Sequence, residues 1–326
     1  MIKIQSPTRV DLAGGTLDCW PLYLMVGDCV TVNLSIDIMT GCELVAGTDS
    51  SVEIEVKDLK FKKTFKNLSH FLEAQDPELL LVQKVIEHYR PKQGFRLSTF
   101  SQSPVGGGLG GSSSLCVTLI KAFNAWLGFT QTLYEMVTLA SNLEARVIHA
   151  PTGTQDYFPA IQPGLNIIHY RAAGLKLEPL AVSLAGLAEN VMLIYTGRSH
   201  HSGINNWQVI KSVIEKVDSP IAALKEIAQI ADETAEVCRR QEWAKIPQLF
   251  RCEFDARVRL TSSFTSPEIE RLKVLVTEQG AEAVKICGAG GGGSVLVWAK
   301  PELHERIATA CQKNGFQPIK IRPVTG

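Results

Sequence analysis

No apolar run in the 326 residues approaches the ~18 that a membrane helix needs. Residues 1–15 hold one early lysine and no sustained apolar block, so no signal peptide is expected. A charge excess is missing too, since Lys and Arg number 33 and Asp and Glu also 33. Proteins that coat a polyanion usually carry a basic surplus, so nucleic acid is not an expected partner. A local anion site remains compatible with this balance. The eight cysteines stand at least ten positions apart without a Cys-x-x-Cys, and the seven histidines form no His-Glu-x-x-His. Neither a disulfide frame nor a zinc site is expected, and the thiols suit a reducing compartment. The expectation is a cytoplasmic protein with no membrane partner.

Glycine is what the chain has in abundance. Of 26 glycines, ten fall in two six-residue windows, 106–111 and 288–293. Five in six far exceeds a background of about 7%. Glycine that dense in otherwise ordered sequence implies backbone wrapped closely around something.

The length suggests two domains of about 100–200 residues each, dividing near residue 185 into 1–185 and 186–326. Alternating apolar residues over 1–66, broken at Pro7, predict a meander of antiparallel strands. A helix over 68–90 and a strand over 95–100 precede the first glycine window. After it, Leu115, Leu119, Phe123 and Trp126 have helical spacing, with Ser112 as N-cap and Gly128 as the stop. Thr132-x-x-Glu135 is a capping box that opens a second helix running to about residue 149. The β pattern restarts at 190–197. Helices over 204–250 and 266–279, strands over 283–287, 294–299 and 317–322, and a helix from 302 complete the chain. Mixed elements without strict β-α-β alternation indicate an α+β fold.

The segment 103–114, Ser-Pro-Val-Gly-Gly-Gly-Leu-Gly-Gly-Ser-Ser-Ser, leads from a strand into a helix N-terminus. Loop and first-turn N–H groups, backed by the helix dipole, make an anion site there. A Walker A motif needs Gly-Lys-Ser/Thr, and no lysine is present. Gly-x-Gly-x-x-Gly matches at 106, 108, 111 and at 288, 290, 293 are what glycine runs produce by chance. Pro104 before the loop, and no acid about 20 residues beyond it, disfavour a dinucleotide fold.

On the second helix, Glu144 falls about 20° from Leu133 at ~100° per residue, within the sector of Met136, Val137, Ala140, Leu143, Val147 and Ile148. A carboxylate there must be paired, protonated or metal-bound. Either a salt bridge to a distant cation or a Mg²⁺ ligand beside the phosphate loop satisfies this. Asp156, on the turn after this helix, is a candidate acceptor for a hydroxyl proton or a turn cap. The cluster Arg198, Ser199, His200, His201 follows the strand at 190–197. It suits either a cradle for a substrate phosphate, through Arg198, or a solvated loop.

Three segments together resemble the GHMP kinase superfamily. Pro104 to Ser113 is similar to its phosphate-binding motif, Ser6 to Gly15 to its N-terminal motif, and Lys285 to Ser294 to its C-terminal glycine motif. Their order and spacing agree over nearly the whole chain. The resemblance implies an N-terminal domain like ribosomal protein S5 domain 2 and a ferredoxin-like C-terminal domain. ATP would lie on Pro104, Gly106, Gly108, Leu109, Gly110, Gly111, Ser112 and Ser113, with Mg²⁺ on Ser112 and Glu144. Asp156 matches the catalytic aspartate, and Arg9 the basic residue that favours its ionised form. Gly290 and Gly291, in the C-terminal motif, would lie at the substrate. Gly111 stands where the family has a serine, which removes one phosphate-contacting hydroxyl.

Within the superfamily, Ala13-Gly-Gly-Thr-Leu-Asp18 resembles sugar kinases, above all the D-glycero-D-manno-heptose 7-phosphate kinases. Asp18 matches their sugar-binding aspartate, whereas Thr16-Leu17 departs from Gly-Thr. The implied activity is ATP- and Mg²⁺-dependent phosphorylation of a sugar or sugar phosphate, at the anomeric hydroxyl in the heptose branch. The competing expectations are a neutral-sugar kinase (galactokinase- or fucokinase-like), a catalytically silent sugar and ATP sensor, and a nicotinamide-dependent oxidoreductase. A homodimer is compatible with all of them.

Overall fold

The computed structural model describes residues 1–199 and 202–325. Two sheets organise them. The first holds β1 (Ile2–Ala13), β2 (Cys29–Ala46), β3 (Val52–Val56), β4 (Phe61–Phe65), β5 (Phe95–Ser101), β6 (Leu165–Arg171) and β7 (Gly174–Leu180). The second holds β8 (Val191–Tyr195), β9 (Ala283–Ile286), β10 (Ser294–Trp298) and β11 (Gln317–Ile319), in the order β11-β8-β10-β9. The helices are α1 (Leu22–Val26), α2 (Leu68–Leu72), α3 (Leu80–Tyr89), α4 (Gly111–Leu127), α5 (Leu133–Ile148) and α6 (Tyr157–Ile161). Beyond them come α7 (Ala185–Ala188), α8 (Ser202–Ile214), α9 (Asp218–Arg240), α10 (Ile246–Val258), α11 (Pro267–Glu278) and α12 (His304–Lys313).

β2 is the spine of the first sheet. One edge pairs antiparallel with β1, with register shifts at Pro7/Thr8 and Asp11/Ala13. The other edge takes β6 along 29–34 and β5 along 40–46. Between those partners, Asp37 N–H donates to the Arg322 carbonyl and Ser35 O accepts from Val324 N–H, both at 2.9 Å. The expected meander over 1–66 is therefore not a simple one. β5 inserts between β2 and β3 and runs parallel to β3. A parallel neighbour needs a long crossover, and β4, α2 and α3 supply it. The β6–β7 hairpin adds two strands where the sequence reading had none.

α4 starts at Gly111, and its N-cap is Gly110 at φ 69°, not Ser112. A left-handed cap suits glycine, so the serines are carried into the first turn. Gly128, at φ 75°, ends the helix as expected. Both halves of the α5 capping box form: Glu135 N–H donates to Thr132 Oγ1, and Thr132 N–H to Glu135 Oε2. α4, α6, α9 and α10 all pack on β1, so Val10, Leu12 and Ala13 are fully buried. Leu224, Ile227, Ala231 and Ala235 of α9 join that same core. A second core, with Ile194, Phe254, Phe264, Leu272, Ile286 and Phe316, lies between the second sheet and α10–α12. The helices beyond residue 185 thus serve both sheets.

Four buried charges tie the two sheets together. Lys285 Nζ of β9 lies 3.3 Å from Asp11 Oδ2 of β1 and 3.2 Å from Glu253 Oε1 of α10. Arg257, also on α10, approaches the same two carboxylates at 3.7 and 3.4 Å. Burial would raise the Asp11 carboxyl, but Lys285, Arg257 and Arg9 outweigh it and hold it below its ordinary value. Burial pushes Glu253 up. Removing one cation leaves a carboxylate without compensation, which typically costs about 3–5 kcal/mol. Lys285→Met should lower the thermal midpoint accordingly, and Lys285→Met/Glu253→Met, which restores the balance, should recover most of the loss. A single variant as stable as the parent would show that the cluster contributes nothing.

Candidate active site

The first glycine window is held from three sides. Arg9 N–H donates to the Leu109 carbonyl at 3.1 Å, and Arg9 Nη1 to the Gly108 carbonyl at 2.6 Å. Ser294 N–H, at the start of β10, donates to the Gly107 carbonyl at 2.8 Å. Leu109 points into the core, fully buried, and anchors the loop. The two glycine windows meet here: a Cβ on Gly288 would lie 3.1 Å from Gly108 Cα. Only backbone can approach backbone so closely.

A cavity of about 360 Å³ opens over this loop and the first turn of α4. Its walls include Gly106, Gly107, Gly108, Gly110, Gly111, Ser112 and Ser113, together with Pro104 and Val105. The first turn of α4 presents N–H groups that have no acceptor within the helix. Arg9, Thr16, Asp18, Cys19, Asp58, Glu144, Thr152, Gly153, Gln155, Asp156 and Asn206 also line it, with Gly288 and Ala289 from the second window.

Asp156 sits between loop and cavity. Arg9 Nε and Nη2 both donate to its Oδ1, at 2.8 and 2.5 Å. Oδ2 is left against the loop, where a Cβ on Gly110 would be 3.2 Å from it. Burial opposes the charge on Arg9, yet Asp156 and Asp11 more than compensate and raise its pKa. Arg9 therefore stays a guanidinium.

Glu144 is buried as its place on the helix predicted. Its neighbours are hydroxyls: Ser113 Oγ and Tyr157 OH each donate to Oε2 at 2.7 Å. Ser112 also bonds to this carboxyl. No Arg or Lys salt bridge reaches Glu144 among the described residues, so the distant ion pair is not what holds it. Burial raises the Glu144 pKa, the three hydroxyls oppose that, and Asp156 adds to it.

Asp18 lies against the turn that carries Asp156. Gln155 N–H donates to its Oδ2 at 3.0 Å, and a Cβ on Gly153 would fall 2.0 Å from that oxygen. Burial, reinforced by Asp156, pushes the Asp18 carboxyl up to about 6, against the pull of the Gln155 hydrogen bond. The Cys19 thiol is pushed well up by burial and by Asp18, so this wall offers no thiolate nucleophile.

The remaining predicted positions lie elsewhere. Gly290 and Gly291 turn toward Phe264: Gly291 N–H donates to the Phe264 carbonyl, and a Cβ on Gly290 would lie 2.3 Å from it. Neither lines the cavity, whereas their neighbours Gly288 and Ala289 do. Arg198 is also absent from the wall. It pairs at the surface with both oxygens of Glu268, at 3.1 and 3.0 Å. His200 and His201 lie outside the described residues. The sequence reading had missed Thr16, Thr152, Gln155, Tyr157 and Asn206. Only the first four sit next to motifs that could have drawn attention to them.

Models of known families match both halves. The model for the GHMP kinases N terminal domain matches residues 80–164, and that for the GHMP kinases C terminal domain matches 255–317. The chain thus carries the N- and C-terminal domains of GHMP kinases. Among curated family members, a D-glycero-alpha-D-manno-heptose 7-phosphate kinase of Campylobacter jejuni is 26% identical, over 96% of this chain and 93% of that protein. A mevalonate kinase of Thermococcus sibiricus is 25% identical, over 87% of each. The crystal structure of a D-glycero-D-manno-heptose 1-phosphate kinase from Bacteroides thetaiotaomicron superposes with a TM-score of 0.81 at 22% identity, covering 100% of this chain and 97% of that one. That likeness gives the two-domain GHMP kinase fold.

Glu144 yields a prediction in which stability and activity part. A carboxyl whose pKa is raised by folding binds its proton more tightly in the fold, so its contribution is complete at low pH and lost as pH rises through the raised value. Above that raised value the ionised Glu144 is a cost. The melting point of Glu144→Gln should therefore gain on that of the parent as pH rises, while its kinase activity is lost. A variant with parental kinetics would remove Glu144 from the site.

Proposed function

We propose that the chain is an ATP-dependent sugar kinase acting on D-glycero-D-manno-heptose 7-phosphate at the anomeric hydroxyl, in the cytoplasm. The observation that carries this reading is the placement of Asp156. Its Oδ2 abuts the phosphate-binding loop, its Oδ1 is fixed by Arg9, and the adjacent Gln155 holds Asp18. The 26% identical heptose 7-phosphate kinase supports the choice of acceptor. We further place the division between the two halves near residue 185, between β7 and β8.

In this reading the loop amides and the α4 dipole hold the triphosphate over Gly106–Ser113. Asp18 accepts hydrogen bonds from sugar hydroxyls and orients the ring. The reacting hydroxyl oxygen attacks the γ-phosphorus as the bond to the ADP oxygen breaks, and its proton passes to Asp156 Oδ2. Arg9 keeps that oxygen aimed at the loop by occupying the other. Positioning and charge stabilisation carry most of the rate in such transfers.

The wall also bears on the metal. Its described residues include four carboxylates, Asp18, Asp58, Glu144 and Asp156, against one guanidinium, Arg9. That balance repels a bare polyphosphate and suits one accompanied by a divalent cation. Glu144 and Ser112, hard oxygen donors beside the loop, are the residues that would hold Mg²⁺. Bound there, it supplies neutralisation of phosphate charge.

One observation favours a second acceptor class. Arg9 is the only cation among the described wall residues and is engaged by Asp156, while Arg198 is paired with Glu268. A sugar phosphate would lack a cationic cradle, so a neutral-sugar kinase is the competing reading. Sugar-dependent ADP release on heptose 7-phosphate and on unphosphorylated mannose, galactose and fucose separates them. Preference for the phosphorylated sugar supports the heptose reading. Preference for a neutral sugar overturns it, and no sugar-dependent release overturns both.

Asp156→Asn should lower kcat by ~10²–10⁴-fold, the usual loss for a general base, with the KM for MgATP nearly unchanged. A tenfold effect or less would reduce Asp156 to a positioning role. The Asp18 carboxyl, pushed up to about 6, accepts through both oxygens only above that pH. The sugar KM should therefore rise as pH falls through about 6, and Asp18→Asn should flatten that dependence. A parent enzyme whose sugar KM is constant from pH 5 to 8 would contradict this role.

A further inference from the structure

Six described non-glycine residues have positive φ, and Thr16 alone among them is β-branched. At φ 81° a threonine is strained, whereas a glycine is not. Such strain persists only where the surroundings over-determine it, and it gathers at ligand sites. The surroundings of Thr16 do so. Its carbonyl accepts from Cys19 N–H at 3.2 Å, and Arg257 Nη2 donates to its hydroxyl at 3.3 Å. Arg257 is itself immobilised, donating to the Gly288 carbonyl at 3.0 Å and lying 4.7 Å from the Phe264 ring centre. Next to it, Gly15 leaves no slack, since a Cβ there would meet Asp11 Oδ2 at 2.3 Å and Arg257 Nη2 at 2.4 Å. Thr16 lines the same cavity as Asp18, two residues on.

We propose that Thr16 is a specificity-determining residue for the acceptor. Held in place by the left-handed backbone and by Arg257, its side chain takes up room beside Asp18 that a bulkier ring substituent would need. The ligand it selects among is a hydroxylated sugar ring, so the proposal rests on the sugar-kinase reading above. Glycine at this position would relieve the backbone and open that room.

The test compares the parent with Thr16→Gly and Thr16→Ser. Each is assayed by ADP release and by calorimetric binding on heptose 7-phosphate, mannose, galactose and fucose. Thr16→Gly should melt no lower than the parent and keep its KM for MgATP. Its ratio of kcat/KM between the best and second-best sugars should fall at least tenfold, within the ~10–200-fold that one methylene-sized contact provides. Thr16→Ser retains the hydroxyl for Arg257 and loses only the methyl, and its ratio should fall as well. An unchanged ratio in Thr16→Gly overturns the proposal. A fall in Thr16→Gly without one in Thr16→Ser also overturns it, because loss of the Arg257 contact would then be the cause. A parent that turns over no sugar defeats the kinase reading, and the calorimetric profiles then decide Thr16 alone. Identical profiles in parent and variants, or no sugar binding at all, overturn it.

Discussion

Arg9 leaves the middle of β1 with its guanidinium almost fully buried, and its contacts run to two segments far away in sequence. Through the Gly108 carbonyl it fixes the glycine-rich loop, and through Oδ1 it fixes Asp156, which faces that loop. Without the guanidinium, a carbonyl and a carboxylate would share a largely desolvated space unpaired, an arrangement proteins avoid. Strand alternation extends the consequence. Asp11, two residues on, shares the face of Arg9 and enters the buried cluster with Lys285 and Arg257. One face of one strand thus orders both the cavity and the junction between the sheets, while Val10 and Leu12 fill the core on the other.

The carboxylates around the cavity differ in what satisfies them. Asp156 has a guanidinium, Glu144 has hydroxyls, and Asp18 has a backbone N–H. The last two have their pKa values raised by burial. Neutral partners leave a carboxylate with acceptor capacity to spare. That is the property expected of groups that receive a ligand instead of closing on a neighbour.

Much of this was legible in the chain because it is local. The capping box of α5, the glycine-to-helix transition at α4 and the burial of Glu144 all follow from spacings of a few residues. The misreadings have local causes too. Ser112 has the usual cap chemistry, but a run of glycines lets the helix begin earlier, at a left-handed Gly110. The β6–β7 hairpin escaped notice because Leu165–Arg171 is buried nearly throughout and lacks alternation. Its partner β7 does alternate, as Gly-Leu-Lys-Leu-Glu, and was the available signal. The salt-bridged cluster was beyond reach for another reason. A charge within an apolar strand, such as Lys285 or Asp11, announces that a partner exists without saying where it lies.

The meeting of the two glycine windows has a consequence for how the protein comes into being. A chain emerging from the ribosome presents β1, Arg9 and the loop before α4 long before it presents their counterparts. Thr16 and Arg257 are 241 residues apart, and Gly288 and Ser294 lie later still. Domains generally fold as their residues emerge, and contacts of such long range close late and slowly. The core beneath the first sheet also awaits α9 for its cover. Nascent chains of this protein therefore leave the glycine-rich loop unclasped until residues 288–294 emerge, late in synthesis.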